Sequence, residues 1–138
     1  MTDHQRIEWG IRALITGGAL CNHQVADRLG LHVIDLQVLN LLAMAGGQLT
    51  PSALADAMRT PRTSVSRIVR RLEEAGYVSR RESPTDRRSV TVEIDHDRLA
   101  AVTSEYRRQS DHLSEVLSAF TPTETTVIAR FLESLTSR

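Results

Sequence analysis

The sequence predicts a mainly α fold with a small β-wing: a winged helix-turn-helix flanked by N- and C-terminal dimerisation helices. Three observations carry that expectation. Residues 50–94 read as two short helices, a strand, an arginine-bearing hairpin and a second strand. Thr-Pro pairs punctuate the helix starts. The two ends of the chain carry apolar residues at helical spacing, with more apolar surface than a domain of about 60 residues can cover. The 138 residues are therefore read as a single domain, with 1–30 and 97–138 as dimerisation helices and 32–94 as the winged-helix lobe.

Residues 5–29 form the first expected helix, weakened or kinked at Gly17-Gly18. Ile34, Leu36, Val38, Leu39, Leu41 and Leu42 then mark a mostly buried helix that stops at Gly46-Gly47. Thr50-Pro51, Thr60-Pro61 and Thr121-Pro122 each set a capping hydroxyl before a proline suited to the first helical position. At the third pair, Glu124 stands where a capping box wants its carboxylate. The helix at 51–58 offers Leu54, Ala55 and Met58 to a core and is too short to stand alone.

Between Thr60 and Gly76, Val65, Ile68, Val69 and Leu72 fall at i, i+3, i+4 and i+7, one apolar stripe. Thr63, Arg67, Arg70 and Glu74 lie opposite it, Ser66 and Arg71 flank it, and Gly76 ends the helix. Tyr77-Val78 and residues 90–94 have strand character, with Val90, Val92 and Ile94 on one face. Ser83-Pro84-Thr85-Asp86 between them is a turn signal at a charged tip. Residues 97–119 read as one long helix, with Leu113, Val116, Leu117 and Phe120 in register. The closing helix, 122–136, carries Val127, Ile128, Phe131, Leu132 and Leu135.

The composition fits a globular chain, with 41% apolar residues and no apolar run near the roughly 20 that a membrane span needs. The opening MTDHQRIEWG lacks the order of a signal peptide, which predicts a cytoplasmic protein with no membrane partner. Net charge is zero, yet the charge is unevenly placed. Residues 59–88 hold nine arginines against four acidic residues, a local excess of five positive charges balanced elsewhere. A neutral chain with one basic lobe can hold phosphates there while its acidic remainder limits indiscriminate sticking.

That lobe points to double-stranded DNA. Residues near the N-terminus of a recognition helix reach base edges in the major groove, here Arg62, Thr63, Ser64, Ser66 and Arg67. An arginine can pair bidentately with guanine, and hydroxyls can contact bases or phosphates. Thr50, Ser52 and Thr60 stand at helix starts, where phosphates bind. Arg70 and Arg71, further along, are expected to contact phosphates or to pair with Glu73 and Glu74.

With these residues in view, the chain resembles the MarR family of bacterial transcriptional regulators over nearly its whole length. The resemblance runs from LGLHVIDLQVLNLL, through LTPSALADAMRTPRTSVSRIVRRLEEAGYV, to LSAFTPTETTVIARFLESL. Asp86-Arg87-Arg88 before a β-rich run resembles the family's D-x-R wing signature. The resemblance implies a homodimer on a pseudo-palindromic operator, acting as a repressor of nearby genes that a small-molecule effector or an oxidant releases. It also implies that Arg88 enters the minor groove and Asp86 orients the wing by an internal pair. Arg87 would be a second groove or phosphate contact.

Other functions are weighed on the remaining residues. Cys21, the only cysteine, could sense oxidants as some family members do, but His23 and Arg28 give it thin activation and a buried structural role is favoured. Cys21, His23, Asp27 and His32 are spaced too irregularly to ligate a metal from one helix, and His96 and His112 are isolated. No metal or other cofactor is expected. Trp9, Tyr106, Phe120 and Phe131 read as interface core rather than as an effector pocket. An enzyme is not expected, since the chain offers no paired-carboxylate site, glycine-rich phosphate loop or nucleophile constellation. A winged helix used only for protein–protein contact is the remaining alternative.

Overall fold

The computed structural model describes residues 1–82 and 89–137. Helix α1 (Asp3–Leu29) is followed by α2 (Val33–Met44), β1 (Gln48–Leu49), α3 (Pro51–Met58) and α4 (Arg62–Glu74). Strands β2 (Val78–Glu82) and β3 (Val90–Ile94) come next, then α5 (His96–Glu105), α6 (Arg107–Leu117) and α7 (Pro122–Thr136). The three strands form one antiparallel sheet in the order β1-β3-β2. The chain divides into two compact units, Met1–Val102 and Thr103–Arg138.

The core belongs to the first unit. Leu36, Val38, Leu39 and Leu42 of α2 lie at its centre, fully buried with Val25 of α1, Leu54 of α3 and Val92 of β3. The α4 stripe of Val65, Ile68, Val69 and Leu72 closes on them as the spacing predicts. Each such side chain contributes about 1.5–3 kcal/mol of burial, so α4 is fastened along one face and leaves the other to solvent. The helix ends at Ala75, and Gly76 takes the left-handed conformation (φ 80°) that lets Tyr77 N–H reach back to Leu72 O at 2.9 Å. Beyond that turn, the buried Tyr77 ring carries the Arg98 guanidinium 4.8 Å over its centroid, tying the base of β2 to α5.

Several elements differ from the sequence reading. Helix α1 starts earlier than residue 5, because Thr2 and Gln5 form a reciprocal capping box, and it runs unbroken through Gly17-Gly18. Strand β1 was not foreseen: two residues show no alternation, and pairing with β3 alone defines them. The expected helix 97–119 is two helices, because Tyr106 leaves helical geometry and its N–H bonds Thr103 O, three residues back. Thr60 is not a helix cap. Its hydroxyl donates to Met58 O at 3.0 Å, and Pro61 occupies the cap position without a side-chain bond.

The second unit exposes its apolar stripe. Leu113, Val116, Phe120, Val127, Phe131, Leu132 and Leu135 are all exposed, and neither α6 nor α7 has a buried residue. Helix α7 nevertheless starts firmly: Thr121 Oγ1 accepts from Glu124 N–H at 3.2 Å while Glu124 accepts from Thr121 N–H at 2.8 Å. In the first unit, Ile7, Trp9, Leu14, Ile15 and Leu20 of α1 are exposed as well.

Candidate nucleic-acid interface

Two helix starts and one strand shape the basic face. At α3, Thr50 Oγ1 accepts from Ala53 N–H at 3.1 Å, which leaves the hydroxyl proton for an outside acceptor. Exposed Ser52 follows at the second helical position. At α4 the backbone N–H groups of Ser64 and Val65 bond Pro61 O, and no side chain caps the end. An uncapped helix start presents orphan N–H groups and the positive end of the helix dipole to an anion.

The α4 face opposite the apolar stripe carries the predicted side chains. Arg62, Thr63, Ser66 and Arg67 are exposed and Ser64 is half-buried. Among the described residues, Arg62 and Arg67 form no ion pair. Among those residues nothing compensates their charge. Arg70 instead lies 3.5 Å from Glu74, one helical turn on, where exposure makes the pair worth little. On β2, Arg80 lies 3.7 Å from Glu73 and Arg81 lies 3.4 Å from Glu93 across the sheet. Ser66, Arg67, Arg70, Glu73 and Arg80 together line an open cleft of about 390 Å³ between α4 and β2.

Arg71 stands apart from the residues predicted with it. Its Nε and Nη2 donate to the two carboxylate oxygens of Asp35 on α2, the Nε bond measuring 3.0 Å, and not to Glu73 or Glu74. The Asp35 side chain is 3% exposed and the Arg71 side chain 45%. That hydrogen bond raises the Arg71 guanidinium above its ordinary value, against an opposing push from partial burial. A carboxylate so deeply buried needs its partner. The sequence reading missed the pair because Asp35 lies within an apolar run whose periodicity does not mark it.

Thr60 is half-buried with its proton engaged by Met58. Asp86, Arg87 and Arg88 lie outside the described residues. Cys21 is half-buried. No three metal-ligating side chains gather among the described residues. No described helix is long and apolar enough to cross a membrane. Of the four aromatic residues read as interface core, Trp9, Phe120 and Phe131 are exposed and Tyr106 is half-buried. Phe120 also lines a shallow apolar groove of about 310 Å³ with Thr123, Glu124, Val127 and Ile128.

Residues 29–89, which span α2 to the wing, match the model of the MarR family. An uncharacterised helix-turn-helix transcriptional regulator of Bacillus subtilis, YcgE, is 38% identical over 81 residues, 59% of this chain and 52% of the relative. Over residues 29–89 the chain is similar to the MarR family. The transcriptional repressor MprA of Escherichia coli is 27% identical over 103 residues, covering 75% of this chain and 58% of MprA. The matched segments thus span little more than half the length of these relatives. The crystal structure of Streptococcus pneumoniae FabT in complex with DNA superimposes with a TM-score of 0.68 at 18% identity, covering 96% of this chain and 94% of FabT. At that identity the likeness speaks for the MarR-type winged-helix fold.

Proposed function

We propose that this chain is a homodimeric, sequence-specific DNA-binding transcriptional regulator that represses nearby genes and is released by a small-molecule effector. The observation that carries the proposal is the start of α4. One side of that helix is buried in the core, and the other offers Arg62 and Arg67, unpaired among the described residues, beside exposed Thr63 and Ser66. An uncompensated arginine pair flanked by hydroxyls suits base edges in a major groove, where a guanidinium bonds guanine bidentately. Thr50 and Ser52 at the start of α3 suit the flanking phosphates. Arg70 and the cleft it lines would follow the same backbone, at the cost of its weak pair with Glu74.

The name of MprA as a repressor and the DNA complex of FabT support the same reading. The D-x-R resemblance extends it to the wing, with Arg88 and Arg87 as groove or phosphate contacts and Asp86 orienting them. Homodimerisation is supported by the apolar surface at both ends of the chain. Neither α6 nor α7 buries a residue, and α1 exposes five large apolar side chains. A second copy covering these faces would carry a second α4, as a pseudo-palindromic operator requires. An effector would act by favouring one spacing of the two recognition helices over another.

Fluorescence anisotropy with duplex DNA taken from beside the protein's own gene tests the proposal, with an unrelated duplex as control. Tight binding to the neighbouring duplex alone, weakening steeply as salt rises, is expected. Absence of binding to either duplex at low salt would transfer the basic face to an acidic protein partner.

A further inference from the structure

The turn between α3 and α4 holds a residue in an unusual backbone conformation. Arg59 has φ 50° and ψ 46°, the left-handed region, where a side chain crowds the following carbonyl oxygen. The other described residues with positive φ are all glycines: Gly30, Gly46, Gly47 and Gly76. Elsewhere among the described residues, then, this chain meets the need for a left-handed residue with the one that adopts it freely. At residue 59 it carries a large charged side chain instead.

Among the described residues, nothing that Arg59 does compensates for that conformation. The turn is closed by other groups: Arg59 N–H reaches Asp56 O at 3.2 Å, Thr60 N–H reaches Ala55 O at 3.1 Å, and the Thr60 hydroxyl reaches Met58 O. All three bonds would survive replacement by glycine. The Arg59 side chain is exposed, and among the described residues it makes no ion pair or side-chain hydrogen bond, even with Asp56 one turn back on α3. Strain kept without an internal reason marks a position whose side chain is needed outside the molecule. Arg59 precedes Arg62 by three residues, with Pro61 fixing the chain between them, so the residue stands just ahead of the uncapped α4 start.

We propose that Arg59 is a DNA phosphate contact at the entry to the recognition helix, a role that rests on the DNA-binding reading above. A backbone phosphate rather than a base is the partner because the residue lies outside the helix that enters the groove. Its contribution is therefore independent of base sequence and strongly dependent on salt. Glycine should be the easier residue for folding and the poorer one for function.

The test compares the wild-type protein, Arg59→Gly, Arg59→Lys and Arg62→Ala by anisotropy on the own-gene duplex and on an unrelated duplex, across a salt series. Thermal unfolding of each protein is measured beside it. Arg59→Gly is expected to melt no lower than wild type yet bind both duplexes about five- to tenfold more weakly near 0.1 M salt. The slope of log affinity against log salt should flatten by about 0.9 for each bound protomer. Arg59→Lys, which keeps the charge, should retain most of the affinity. If wild type binds, Arg62→Ala weakens it, and Arg59→Gly matches wild type in affinity and slope, the Arg59 assignment is overturned while the DNA reading stands. If wild type binds neither duplex at low salt, both fall together.

Discussion

Arg71 of α4 grips both carboxylate oxygens of Asp35, a residue of α2 that lies 36 positions earlier and is almost wholly buried. The pair joins the scaffold helix to the helix that carries the proposed base readers. No buried side-chain polar atom lacks a partner among the described residues, Asp35 included. Arg71→Ala should lower the unfolding free energy by about 2–3 kcal/mol, because it strands the Asp35 charge; half-exposure of the guanidinium keeps the loss below that of a fully buried pair. Replacing both residues by apolar ones of similar size should recover most of it. Urea titration at fixed protomer concentration measures this, and equal midpoints for Arg71→Ala and wild type would show that the pair contributes nothing. The sign of the guanidinium's pH dependence follows from its raised value: its contribution is complete at neutral pH and is lost in strong alkali, as pH climbs through the folded-state value.

Arg62→Ala and Arg67→Ala should each weaken operator binding by about 1–3 kcal/mol and relax preference at one base position. Stability should change little, since both side chains are exposed and unpaired among the described residues. Binding profiles against single-base operator variants provide the check. A loss of equal size on every sequence would turn these residues into phosphate contacts.

A charge placed on the exposed α7 stripe should break the dimer without unfolding the monomer's core. Phe131→Glu or Leu132→Glu is expected to sediment as a single chain and to lose most operator affinity, since one half-site remains. Sedimentation of either variant as a dimer would place the interface elsewhere.

Arg88→Ala tests the resemblance to the D-x-R wing independently of α4. A loss of about 1–3 kcal/mol in operator binding is expected, on the scale of one specific arginine contact. Anisotropy titration reads it, and wild-type affinity would remove Arg88 from the interface.

Much of this arrangement was legible in the sequence where the signal is local. Val65, Ile68, Val69 and Leu72 revealed the buried side of α4, and thereby its exposed side, because helical periodicity is a property of neighbouring residues. Thr50-Pro51 and Thr121-Pro122 cap as expected. Thr60-Pro61 has the same letters and behaves differently, since the left-handed Arg59 turns the Thr60 hydroxyl back to Met58. That conformation depends on how α3 and α4 are joined in space, which no dipeptide encodes. The Asp35–Arg71 pair and β1 were illegible for a related reason: each exists only through a partner distant in sequence. The break at Tyr106 has neither proline nor glycine to announce it.

Selection of binding sites from a random duplex library with the purified protein, followed by sequencing, tests the central claim without assuming where the operator lies. Enrichment of an inverted repeat whose half-site centres lie about 10 base pairs apart is expected, and it should vanish with Arg62→Ala combined with Arg67→Ala. Recovery of unenriched random sequence by the wild-type protein would contradict sequence-specific binding.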